Sequence, residues 1–481
     1  MKHRTYKKIH RLASAAAIAL LLASPAMAQQ GPMPGRPSNN PDEFLAEPAK
    51  PSSIKGDFTL VAIGDMLYSH PFADSADPKL QAVLQKVREA DFAVSNQEGV
   101  FIDLKSFDGT GYGLGQLWGE GRLANDMKAM GIDMVSVANN HSTDFGFEGL
   151  LQSMRLLDAA GIGHAGGGRN RKEARSAGVV ETAHGKVAMI AAASTFKENV
   201  GANDAFGGLN ARAGISTLRL RKVNIVSPQQ FAAIRKLASE RASPRAPAPE
   251  AGVSEIEFGK EIYRAGTGDP VVYDMDLFDH ADILKSVREA KATSDLAIFT
   301  IHAHESPTGM DDDTPASPNF LKTLFHDVVD AGADVVVGGG PHSLRGIEIY
   351  KGRPIFYGIG VFFIRGEIKA TQEAAFRIFP DPATGRAPPP VPEPESVRPG
   401  GNPASWYDGM LAEVDYRDGK ARTLRVSPLD VGNTRDRSRR GIPHLADPET
   451  AKRILENLRH LSAELGTRVE VEGSVGIIHI K

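Results

Sequence analysis

The chain has 481 residues, no cysteine, and 56 Lys+Arg against 59 Asp+Glu. That balance argues against a surface built for nucleic acid or an anionic bilayer, since both need a basic patch. Without cysteine, neither a disulfide nor a lipid-modified cysteine can contribute.

At the N-terminus, Lys2, Arg4, Lys7, Lys8 and Arg11 precede an apolar run at 12–23 and then Ala26-Met27-Ala28. This order describes a secretory signal peptide at 1–28, cleaved after Ala28. The apolar run is too short to span a bilayer, and no other apolar stretch approaches ~20 residues. A periplasmic or secreted protein with no membrane insertion after cleavage is therefore expected. Cleavage leaves 51 basic against 59 acidic residues, a net charge near −8. Residues 29–54, rich in Pro, Gly, Ser and Asn, read as a flexible leader.

From Asp57 onward strands and helices alternate. An apolar run at 58–63 predicts a strand. Leu80, Val83, Leu84 and Val87 share one face of a helix over 78–90. A strand at 92–95, a helix at 123–130, a strand at 134–138, a helix at 147–160 and a strand at 187–193 follow. Residues 203–275 carry a Pro/Ala-rich piece, ASPRAPAPEAG, and read as an insertion with some local structure. The alternation then resumes: helix 281–292, strand 296–301, helix 319–331, strand 335–337 and a hairpin of 346–350 with 354–359. Residues 371–408 contain APPPVPEPE and read as a Pro-rich loop. The C-terminal 409–481 offers a β pair, a helix at 448–465 and a strand at 471–480, completing or flanking the core. The fold class is α/β, a layered sandwich whose apolar strands are covered by helices.

The predicted strands end in polar groups. The 58–63 strand runs into Gly64-Asp65, and 92–95 into Asn96-Gln97-Glu98. The 134–138 strand opens into Asn139-Asn140-His141 with Asp144 beyond, where Asp144 could equally cap the next helix. The 296–301 strand ends in His302-Ala303-His304-Glu305, and 335–337 in Gly338-Gly339-Gly340-Pro341-His342. Each has a plain explanation alone: a turn former, an exposed carboxylate, a satisfied histidine, a tight turn. Five strands with carboxylate, amide or imidazole at one end match what a divalent-metal site requires.

The pieces VAIGDML (61–67), SNQEG (95–99), VANNHSTDFG (137–146), IHAHE (301–305) and GGGPHSLRGIEIYKGRPIFYGIG (338–360) resemble the CapA family. That family is associated with poly-γ-glutamate capsule synthesis, within the calcineurin-like metallophosphoesterase superfamily. The resemblance implies a metallophosphoesterase-like domain over 55–370, interrupted by the insertion. It implies Asp65 and Glu98 as carboxylate ligands, with Glu98 bridging two ions, and Asn140 as an amide ligand. His302 and His342 become imidazole ligands, with His304 as an extra one. His141 becomes the general acid, oriented by Asp144. One or two divalent ions (Mn, Fe, Zn or Mg) are implied. Two departures stand out. The family's histidine before Pro341-His342 is absent from Gly338, Gly339 and Gly340, and Val361 stands where the family has Asn.

Two functions fit. One is a metal-dependent hydrolase of capsule or related envelope-polymer biosynthesis, acting on an anionic polymer or a phosphoester. The other is a non-catalytic assembly or polymer-binding factor on the same fold. Either admits membrane-bound capsule-synthesis components as partners; nucleic acid is not expected. The Gly-rich segment at 109–121 has no P-loop Lys-Ser/Thr ending and reads as a loop bordering the site, with Tyr112 and Trp118 on it.

Overall fold

The computed structural model describes residues 40–45, 49–103, 105–109, 117–244, 246–309, 314–365, 404–436 and 439–481. The expected signal peptide, most of the Gly-rich 109–121 segment including Tyr112, and most of the Pro-rich 371–408 loop lie outside them. Within the expected leader, Pro41–Phe44 forms a 3-10 helix, and the Phe44 carbonyl accepts from Arg288 Nε at 2.8 Å.

Among the described residues, ten strands form one sheet and six another. The larger sheet is centred on the strand Asp57–Tyr68, flanked by parallel Phe92–Gln97, then Met134–Ser136 and Gly163–Ala165. On its other side lie the C-terminal strands Asp408–Arg417 and Lys420–Asp430. The smaller sheet sets Gly185–Ala193, Leu296–His302, Val335–Gly339 and Arg353–Phe356 side by side, all parallel.

Strand periodicity explains how the two layers meet. Along Leu296–His302, Leu296 and Ile298 join the core shared with the larger sheet. Phe299 and Ile301 instead pack with Ile283, Leu284, Leu324 and Phe325 of the helices Leu277–Thr293 and Asn319–Ala331. Successive side chains point to opposite faces, so His302, in step with Leu296 and Ile298, faces the inter-sheet side. A buried ion pair, Lys291 Nζ to Asp334 Oδ2 at 2.7 Å, ties the covering helix to this sheet, and the same oxygen accepts from Ala297 N at 2.9 Å.

Several boundaries differ from expectation for identifiable reasons. The first strand does not end at Gly64. It changes partners there, pairing with Asp408–Arg417 as far as Ile63 and with Val361–Arg365 from Asp65 onward. A second strand thus takes over the backbone bonding, and Asp65 sits at the switch. Glycine at 64 permits this, because a Cβ would meet the Gly360 carbonyl oxygen at 2.2 Å. The single strand expected at 471–480 is two, Glu470–Glu472 and Val475–His479, turned at Gly473 with φ +61°. Asp144 does not cap the following helix: Gly146–Ala159 begins after Phe145 without a side-chain cap.

The 203–275 segment is more ordered than its composition suggests. It builds a four-stranded sheet from Leu220–Val226, Glu255–Phe258, Glu261–Ala265 and Val271–Met275. Beside it, the helix Pro228–Glu240 opens on a capping box of Ser227 and Gln230. Among the described residues no helix is long and apolar enough to cross a membrane.

Candidate metal centre

Asp65, inside the first strand, and residues at or just beyond the ends of four others build the site. Asp65, Glu98, His302, His304 and His342 are all buried. Ligand atoms of Asp65, Glu98 and His302 lie within 4.8 Å of one another, and so do those of Glu98, His304 and His342. Glu98 belongs to both groups. Its Oε1 stands 3.8 Å from His302 Nε2 and 3.9 Å from His342 Nε2. On the other flank, Asp65 Oδ2 lies 3.4 Å from His342 Nδ1. His302 and His304, two residues apart at the end of one strand, bring their Nε2 atoms to 2.9 Å.

An amide relay sets the register between these groups. Asn96 Nδ2 donates to Asp65 Oδ1 at 2.8 Å and lies 3.2 Å from His302 Nδ1. Asn139 Nδ2 donates to Asn96 Oδ1 at 3.1 Å and to the Gln97 carbonyl at 2.7 Å, while Asn139 Oδ1 accepts from His141 N at 3.1 Å. Position and orientation thus pass from one strand end to the next through buried hydrogen bonds, which are stronger in a low-dielectric setting.

Beside the carboxylates, His141 Nδ1 donates to Asp144 Oδ2 at 2.8 Å, and His141 Nε2 faces Glu98 Oε1 at 4.0 Å. Asp144 is fully buried; Leu117 N also donates to its Oδ2 at 2.6 Å, and Lys197 Nζ contacts its Oδ1. The imidazole therefore presents Nε2 towards the carboxylate cluster.

The electrostatics suit a cation. Burial pushes the Asp65 carboxyl up, but the hydrogen bonds with His342 and Asn96 and the charge of His342 outweigh it and bring the pKa down to about 2. Burial, reinforced by His304, holds His302 well below the ordinary imidazole value, in the neutral form a metal ligand needs. The donor set of carboxylate oxygens and imidazole nitrogens is the one that divalent Mn, Fe or Zn takes. Asn140 Oδ1, the amide oxygen expected as a ligand, is buried and makes no hydrogen bond. A cation would satisfy it, so the residues present fit the group.

The glycines before Pro341 have structural grounds. A Cβ on Gly339 would stand 3.0 Å from Asp65 Oδ1. Gly340, at φ +112°, donates its N–H to Asp65 Oδ2 at 3.2 Å, and a Cβ there would come within 2.8 Å of Ala303 N. An imidazole at 340 is excluded by this packing, and His304 brings one to the cluster from the neighbouring strand instead. His342 itself adopts φ +52°, a left-handed conformation uncommon for non-glycine residues. Val361, at the other departure, is fully buried and pairs with Asp65 in the sheet.

A sequence-family model described as bacterial capsule synthesis protein PGA_cap matches residues 59–365. The chain belongs to this family. Among its relatives, the uncharacterized protein y4sH of Sinorhizobium fredii is 36% identical over 447 residues, covering 89% of this chain and 94% of its own length. The capsule biosynthesis protein CapA of Bacillus anthracis is 23% identical over 252 residues, 52% of this chain and 44% of its own. A probable polyglutamine synthesis accessory protein of Mycobacterium tuberculosis is 25% identical over 227 residues, 47% of this chain and 44% of its own.

Seen as a capsule-synthesis family member, the chain gathers the buried acidic and imidazole groups expected to be ligands and sets His141 with Asp144 beside them. Apart from Asp144, expected to orient His141, the residues that position them were not predicted. Asn96 and Asn139 stood out only as polar strand-end residues. Lys197 follows an apolar strand by four positions and carries no local signal. Trp118, expected at the border of the site, packs edge-on against Phe145 with ring centroids 6.0 Å apart.

Proposed function

We propose that this protein is a metal-dependent hydrolase that cuts a phosphoester or polymer bond in the biosynthesis of poly-γ-glutamate or a related anionic envelope polymer. The observation that carries this reading is the placement of the His141–Asp144 pair, with Nε2 4.0 Å from the Glu98 carboxylate shared by both candidate ligand groups. Asp65, Glu98, Asn140, His302, His304 and His342 would hold one or two divalent ions. Such an ion lowers the pKa of water to near neutrality and polarises the bond under attack. In hydrolysis, water adds to the phosphorus or carbonyl centre and the bond to the leaving atom breaks. His141 Nε2 gives its proton to that atom, while Asp144 accepts from Nδ1 and keeps the ring aimed. The signal-peptide pattern at 1–28 supports a periplasmic or secreted location.

The deciding experiment uses the purified chain loaded with Mn²⁺ and offered poly-γ-glutamate and a chromogenic phosphodiester in parallel. Shortening of the polymer or release of the chromophore, abolished by chelation, is the expected result. The absence of histidine at 340 favours a second reading, a polymer-binding factor without turnover; it predicts retention of intact poly-γ-glutamate and no product from either compound.

Lys197 enters as a positioning residue. Removing its ammonium in Lys197→Met leaves the buried Asp144 Oδ1 without that charged partner, so the imidazole loses part of its alignment. The expected change is a fall in kcat of about tenfold with KM and metal content unaltered, largely restored in Lys197→Arg. Steady-state kinetics together with metal analysis of the three proteins checks this.

A further inference from the structure

Trp406 lies outside the 59–365 span that the family model matches, on the 3-10 helix Ala404–Tyr407. That helix is anchored by Tyr407, which is buried and whose carbonyl accepts from Val431 N at 2.8 Å. The indole packs beside Leu67, Val361, Tyr407 and Val431 and meets the His342 imidazole edge-on, with ring centroids 4.8 Å apart at 70°. Ser405 Oγ approaches Ser343 Oγ at 3.3 Å, a second link between this helix and the residues around His342. The apolar contacts account for the ring but not for its polar atom. Trp406 Nε1 is buried and has no hydrogen-bond partner. Tryptophan is a donor only, so the acceptor it lacks must be an oxygen or another lone pair. Buried donors without partners are rare, because each forfeits its hydration without compensation.

We propose that Trp406 is a ligand-binding residue whose indole N–H donates to an oxyanion, phosphoryl or carboxylate, seated beside His342. The proposal rests on the metal-site reading above and extends it, assigning part of substrate recognition to the C-terminal region. Trp406→Phe keeps an aromatic ring against His342 while deleting the donor, so it separates recognition from packing.

The test titrates Mn²⁺-loaded wild type and Trp406→Phe with inorganic phosphate in one arm and a γ-linked glutamate trimer in the other, by calorimetry. The expected result is affinity about tenfold weaker in the variant for the oxyanion the site takes, with Mn²⁺ content and melting temperature unchanged. The arm that weakens identifies phosphoryl or carboxylate. Equal affinities in both arms overturn the proposal while leaving the metal reading intact; wild type that takes up no Mn²⁺ overturns both. A readout that does not depend on that variant's folding uses Trp118→Phe, which leaves Trp406 as the sole tryptophan of two. Its emission should shift when the ligand is added to the Mn²⁺-loaded protein, and an unmoved spectrum at saturating ligand counts against the assignment.

Discussion

Replacing His141 by alanine is expected to reduce hydrolysis by about 10²–10⁴-fold while the protein keeps its metal. The magnitude follows from the role. A general acid that protonates a leaving atom contributes about that much, and His141 holds Nε2 4.0 Å from Glu98 Oε1 while its Nδ1 donates to the buried Asp144. Metal should stay because the ring's Nδ1 hydrogen bond runs to Asp144, which is outside the proposed ligand set, and not to Asp65, Glu98 or His302. His141→Gln, which cannot deliver a proton, should be nearly as slow. Turnover within threefold of wild type in both variants, at equal metal content, is incompatible with the assigned role.

Asp65→Asn is expected to weaken divalent-metal binding by at least about 100-fold, more than loss of an outer-shell partner typically costs. The side chain is 1% exposed and receives Asn96 Nδ2 on one oxygen and Gly340 N on the other. An amide of equal size retains the volume but loses the charge and one acceptor. Two readouts follow. Wild type at metal concentrations near 100 times Kd should gain about 2.7 kcal/mol of stability, lost on chelation; the variant's melting temperature should not respond to chelator. The second is pH dependence in chelator. The Asp65 carboxyl is held at about 2 against an ordinary 3.8. A depressed carboxyl pKa stabilises the fold above its unfolded value, and that contribution disappears as pH falls from 3.8 towards 2. Acid unfolding of the variant should lack this component. A variant that binds metal as tightly as wild type removes Asp65 from the ligand set.

Much of this was readable from residue order. The helix Asn319–Ala331 matches its predicted bounds, because Leu321, Leu324, Phe325 and Val328 keep one unbroken apolar face. The polar ends of five strands were equally plain, since carboxylates and imidazoles interrupt otherwise apolar runs. Harder to read was Asp65 itself, which looked like a strand end and lies inside a strand twelve residues long. A change of partner leaves no mark on hydrophobic periodicity. Residues 203–275 misled in the opposite direction: their Pro/Ala-rich piece obscured the short strands around it.

Local order in this protein follows from backbone geometry repeated every two or 3.6 residues, and that much the amino-acid sequence determined unaided: the alternating elements, the apolar layers and the chemistry waiting at the strand ends. Tertiary structure alone decided which of those ends meet. It decided that His304 joins the cluster where packing around Gly340 leaves no room for an imidazole, that Lys197 reaches Asp144 across 53 positions of chain, and that Trp406 from the C-terminal region stands against His342. The physical reason is that propensity and periodicity act between neighbours in the chain. Convergence depends on strand order and on where the first strand exchanges one partner for another, and neither is encoded within any short window.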